Sequence, residues 1–113
     1  MEKKTIRCVI TGLGVVSAIG NNVEECWANI LASKSGIDHT HSLDTENCYA
    51  DYAAEVKKPT VNDPSLDRCA ALCLQATDEA MKDAALAGFN GDPRTGVIMG
   101  SCVGGVVSVI FYL

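Results

Sequence analysis

Aromatic side chains are scarce in this chain: one tryptophan, two phenylalanines and three tyrosines make up 5% of 113 residues. Since 48% of the residues are hydrophobic, a core must be built from aliphatic and small side chains. Basic residues are outnumbered, 9 against 14 acidic ones, for a net charge of −5. That balance argues against nucleic acid and anionic membrane as partners, because both recruit proteins through phosphate neutralisation. No apolar run approaches the roughly 18 residues of a membrane-spanning helix. The opening MEKK leads into an apolar stretch too short, and too soon broken by Gly12, for a secretory signal, so a cytoplasmic location is expected.

No C-x-x-C pair is present, and the two histidines, His39 and His41, lie together in a polar stretch. Neither spacing suits structural zinc, and no metal or cofactor is expected. The cysteines at 8, 26, 48, 69, 73 and 102 are expected as reduced thiols serving as small hydrophobes. Cys69 and Cys73 share a helix face at i, i+4, a spacing that a core stripe explains. A His-x-His near Asp44 and Glu46 could bind a metal, but a solvated loop accounts for the same residues.

Residues 6–20, IRCVITGLGVVSAIG, organise what is present. Positions 6–11 have the β-branched content of a buried strand. Gly12 and Gly14 then allow a tight or positive-φ path, and residues 15–20 return through the interior. A short strand, a glycine-bearing turn and a helix point to an α/β protein. The length suits one small domain or part of a larger one.

Asn22 reads as an N-cap, with Glu25 completing a capping box. The helix that follows carries Val23, Cys26, Trp27, Ile30 and Leu31 on one face, with Trp27 at the centre of the core stripe. Gly36 is its expected stop. Residues 37–48 read as an irregular polar loop, and residues 49–56 as a short strand. Ser65 is the expected cap of a second helix that runs to about residue 86 and ends at Gly88. Its stripe of Leu66, Cys69, Ala70, Cys73, Ala76, Thr77, Ala80, Met81 and Ala84 is mostly small, which permits close approach to neighbours. Residues 96–101, GVIMGS, read as a second buried strand with a glycine-rich exit. The final VVSVIFYL is almost wholly apolar and would be left uncovered, the mark expected of a fragment.

Two local motifs fall short of function. Gly12-Leu13-Gly14 lacks the third glycine of a dinucleotide loop, and the helix begins too late to meet a pyrophosphate. Cys102, among glycines at a strand exit, has the setting of a nucleophile but no histidine close in sequence. A small residue at a crowded crossing explains it as well.

Four ordered blocks, residues 9–37, YADYAAEV, LDRCAALCLQATDEAMKDAAL and GVIMGSCVGG, resemble the β-ketoacyl-acyl-carrier-protein synthases over about residues 5–107. The resemblance implies a thiolase-like fold of five αβαβα layers. Residues 1–113 would be a partial N-terminal half of one ketosynthase domain, with no second domain. It implies condensation of an acyl group with a malonyl-carrier thioester, in fatty acid or polyketide synthesis. The chemistry would use a cysteine nucleophile and two histidines that stabilise developing oxyanions. None of this chain's cysteines or histidines matches those positions, so no catalytic residue is expected here and the chain by itself should be inactive. By the same resemblance Val103 lines the acyl pocket, and Gly104 and Gly105 let the backbone pass beside it; a plain core valine in a turn is equally consistent. Expected partners are acyl carrier protein thioesters and further copies of the protein. Residues 61–67 before the long helix hold two acids and no base, unlike elongating synthases that meet an acidic carrier with basic residues there. The alternative function is a non-catalytic interaction module pairing with a complete ketosynthase.

Overall fold

The computed structural model describes residues 7–42, 44–61, 63–102 and 104–105. Among them the regular elements are α1 (Val23–Leu31), β1 (Ile37–His39), β2 (Tyr52–Ala54) and α2 (Arg68–Asp83). The strands pair antiparallel with Ile37 opposite Ala54 and His39 opposite Tyr52. The result is a small mixed α/β arrangement.

α1 begins as its sequence dictates. The Asn22 side chain accepts the Glu25 N–H at 2.8 Å, and the Glu25 carboxylate reaches back to the Asn21 N–H at 2.8 Å. This is a capping box shifted by one residue at its return bond. Its end differs from expectation: Ser33, at φ 52, takes the left-handed position assigned to Gly36. Ser33 and Lys34 donate to the carbonyls of Ile30 and Asn29, closing a Schellman motif. Gly36 instead lies against Ala18, whose Cβ would stand 2.7 Å from a Cβ on the glycine.

α2 repeats the pattern. Asp67, not Ser65, is its N-cap, because Ser65 is held in a turn by Asp63 through both its N–H and its hydroxyl. Ala85, at φ 56, provides the left-handed stop three residues before Gly88. Its N–H and that of Leu86 donate to the carbonyls of Lys82 and Met81.

Residues 12–15 lie along α2 as a backbone strap. A Cβ on Gly12 would come within 2.2 Å of the Ala80 carbonyl oxygen, and one on Gly14 within 1.8 Å of that of Ala76. Neither glycine has positive φ, so both are needed for contact and not for a turn. The small stripe Ala76, Ala80 and Ala84 is the matching half of that contact.

Both long apolar stretches depart from their expected form. Residues 7–11 and 96–101 take no regular structure, and Val97 and Ile98 are 85% and 97% exposed. A strand needs a ladder partner for its N–H and C=O groups, and no described strand pairs with either stretch. Trp27 is 60% exposed for a related reason: no described layer covers that face of α1. Conversely, residues 37–39 of the expected loop form β1. Among the described residues the buried hydrophobic side chains are Cys26 and Ala71. The Cys26 thiol donates to the Gly20 carbonyl at 3.3 Å and lies 3.1 Å from the Ser17 hydroxyl.

Candidate functional site

The glycine-rich segment after residue 98 lies against the first turns of α2 and leaves an open groove of about 630 Å³. Asp67, Cys69, Ala70 and Cys73 form its helical wall, and Met99, Gly100, Ser101, Cys102, Gly104 and Gly105 the other. The turn is locked internally, since the Ser101 hydroxyl accepts the Gly104 N–H at 2.9 Å. A Cβ on Gly104 would stand 2.7 Å from that hydroxyl and 3.4 Å from the Cys69 thiol. Gly105, at φ 79, would place a Cβ 3.1 Å from the Asp67 carboxylate. Glycine is thus favoured by conformation at 105, whereas a Cβ at 104 would displace the Ser101 hydroxyl that accepts its N–H.

Gly104 and Gly105 therefore lie at the groove, whereas Val103 is outside the described residues. Cys102 is exposed on the rim. No histidine is among the described lining residues, so the groove offers Cys102 no imidazole base. His39 instead pairs its Nδ1 with Asp51 at 2.9 Å and packs its ring on Tyr52, centroids 4.2 Å apart. His41 is tied through its backbone N–H to Glu55 at 3.0 Å. The hairpin carries a third polar link, Lys57 to Asp38 at 2.5 Å. The Lys57 ammonium holds the Asp38 carboxyl below its ordinary value, and the Ser42 hydroxyl does the same for Glu55. Among the described residues no three His, Cys, Asp or Glu side chains gather as a metal cluster.

A set of residues that the hydrophobic pattern passes over aligns the two helices. Gln75 is buried and bridges two segments: it accepts the Thr60 N–H at 2.8 Å and donates to the Asn21 carbonyl at 3.2 Å. Glu79 accepts the N–H groups of Val15 and Val23 at 2.9 and 2.8 Å. Asp83 accepts the Leu13 N–H at 3.0 Å. These three recur at i, i+4 and i+8, and that polar spacing on an otherwise small-residue face was the available signal. A carboxylate from within the fold thus already occupies the N-terminus of α1, where a nucleotide phosphate would need to bind.

A model of the beta-ketoacyl synthase N-terminal domain matches residues 6–110, which takes in the strap, both helices and the groove. The chain belongs to that family. As a ketosynthase-family chain it is 38% identical over 111 residues to 3-oxoacyl-[acyl-carrier-protein] synthase 2 of Staphylococcus aureus (strain MRSA252), covering 91% of this chain and 27% of the relative. The protein of the same name from Coxiella burnetii (strain RSA 493 / Nine Mile phase I) is 36% identical over 117 residues, 94% of this chain and 27% of the relative. The ketosynthase-family chain thus spans about a quarter of the length of the curated relatives it matches. No helix among its described residues is long and apolar enough to cross a membrane.

Proposed function

We propose that residues 1–113 are a partial N-terminal half of one thiolase-like ketosynthase domain, layered αβαβα. The whole protein joins an acyl group to a malonyl-carrier thioester in fatty acid synthesis. The seating of the glycine-rich turn on the first turns of α2 carries this proposal, because it builds one wall of a groove from residues within the family span. Val103, Gly104 and Gly105 line the acyl channel, with the glycines keeping that wall thin. The reaction needs a thiol to take the acyl group and donors aimed at the oxyanions that form during decarboxylation and carbon–carbon bond formation. Among the described residues no cysteine meets an imidazole at the groove. Residues 1–113 would supply the channel wall and scaffold, and by the family resemblance the nucleophile and its histidines lie outside them, so they are inactive by themselves. The partners are acyl carrier protein thioesters and a further copy of the protein.

A chimera tests this. Residues 1–113 replace the matching segment of the Staphylococcus aureus synthase, and condensation of acyl-carrier and malonyl-carrier thioesters is measured. The chimera should condense, residues 1–113 alone should not, and Val103→Trp in the chimera should shorten the accepted acyl chain. A folded chimera that neither decarboxylates nor condenses would count against a condensing enzyme and for an interaction module.

A further inference from the structure

We propose that the α1 face around Trp27 docks a segment of the ketosynthase domain outside residues 1–113. That segment is apolar and brings a lysine or arginine into the carboxylate pocket beside the indole. The inference rests on the reading that the chain is part of a longer domain, its match taking in 27% of a relative's length. Trp27 stands between two open clefts that share Leu13 and Val23. One, of about 450 Å³, is completed by Gly14, Val15, Cys26 and Ile30 and is apolar. The other, of about 310 Å³, is completed by Glu24, Glu79 and Asp83. Trp27 is 60% exposed, and Leu13 and Ile30 are each 54% exposed.

The three carboxylates have no counter-charge. Among the described residues no lysine or arginine pairs with any of them, and Lys82, on the same helix, is occupied by Asp78 at 2.5 Å. Glu79 accepts the N–H groups of Val15 and Val23, and Asp83 that of Leu13. Those donors are neutral and leave both charges in place. Because the two clefts share walls, a layer that covers Trp27 also covers this pocket. An apolar layer would take carboxylates out of water unpaired, which opposes the gain from burying the indole. A cationic side chain resolves the conflict. Lysine or arginine lays its methylene stem along apolar surface and holds its charged end among carboxylates, and the indole face adds a cation–π contact. A second copy does not supply that charge. A two-fold pair on this face would set the three carboxylates of one copy against the same three of the other, between chains of net charge −5.

The test follows hydrogen exchange of the α1 amides in the 113-residue chain and in its chimera with the remainder of the Staphylococcus aureus synthase. α1 should be better protected in the chimera. Glu24→Gln and Asp83→Asn each remove one charge, and the asparagine keeps an oxygen for the Leu13 N–H. In the chimera each should speed α1 exchange by about 10-fold or more, against about 3-fold or less in the 113-residue chain, because only the chimera is left with an unpaired cation. Glu24→Lys, which sets a like charge against that cation, should speed exchange further than Glu24→Gln in the chimera alone. Equal effects in the two proteins, or an α1 no better protected in the chimera, would overturn the docking. So would α1 protection in the 113-residue chain that rises with concentration to the chimera's level, since it would assign the face to a second copy. Condensation by the chimera is read separately: a chimera that condenses while its α1 ignores both charges refutes this inference and leaves the proposed function standing.

Discussion

Glu79, three-quarters of the way along α2, accepts the backbone N–H of Val23, the first residue of α1, at 2.8 Å. Its second oxygen takes the Val15 N–H at 2.9 Å, so one carboxylate fixes both the strap and the start of the helix that follows it. The four leading N–H groups of a helix have no partner within it, and a carboxylate there also meets the favourable end of the dipole. Glu79→Ala should therefore cost about 1–3 kcal/mol, the range for leaving such donors without an acceptor. Glu79→Gln, which retains one acceptor oxygen, should cost less. Amide exchange at Val15 and Val23 measures the effect; unchanged protection at both in Glu79→Ala would contradict it.

The strap's two glycines give a second prediction. Gly14→Ala would drive a methyl to within 1.8 Å of the Ala76 carbonyl oxygen, and Gly12→Ala to within 2.2 Å of that of Ala80. Backbone atoms cannot yield as a flexible side chain does, so residues 12–15 must lift off α2. Each substitution should destabilise by about 1–3 kcal/mol, as overpacking does. Gly96→Ala, where nothing lies within 4 Å, should be close to neutral and is the control. Equal thermal midpoints for Gly14→Ala and Gly96→Ala would refute the strap contact.

Much of this local order was legible in the sequence. The Asn22–Glu25 box and the small face of α2 follow from short-range rules and appear as expected. The expected stops at Gly36 and Gly88 and the Ser65 cap fell instead at Ser33, Ala85 and Asp67, and the stretches that need a distant partner did not take their expected form. Residues 7–11 and 96–101 have strand composition, but composition supplies no ladder, and they remain irregular among the described residues. Trp27 lies on the helix stripe that periodicity assigns to a core, yet a stripe is buried only where a second layer meets it. β1 was hidden because Asp38 and His39 are polar, although their cross-strand contacts to Lys57, Asp51 and Tyr52 hold the pairing. At the groove, the exposure of Cys69 was not legible, because small apolar neighbours disguise an open face as a core.

The hairpin should respond to acid. Glu55 accepts the N–H groups of His41 and Ser42 and the Ser42 hydroxyl, and these bonds hold its carboxyl below the ordinary 4.5. A group whose folded value is depressed stabilises fully above its unfolded value and loses that contribution as pH falls through the folded one. The sign for Asp38, lowered from 3.8 chiefly by Lys57, is the same. Order at residues 41–42 should thus be intact above about pH 4.5 and decline below it. Glu55→Gln should lose the dependence at His41 and Ser42. Chemical shifts of those two amides followed from pH 6 to pH 2 measure this; a titration of both that survives in Glu55→Gln would rule out the assignment.

Trp27 offers the last prediction, because it is the chain's one tryptophan and reports on a single face. At 60% exposure its indole meets water, beside Leu13, Val23 and Ile30 on an apolar surface. Emission from dilute protein should accordingly be red-shifted, near that of a solvated indole. Apolar area removed from water contributes about 25 cal/mol per Å², so any surface that covers this face gains from doing so. In a chimera with the remainder of a relative's chain, the emission should move to shorter wavelength and become harder to quench with iodide. The same shift should follow concentration in the 113-residue chain if copies associate through this face. Trp27→Ser, which leaves the helix caps untouched, should then lower the sedimentation coefficient at high concentration. Emission already blue-shifted and shielded from iodide at nanomolar concentration would mean that the chain covers Trp27 by itself, and the exposed face would not be an interface.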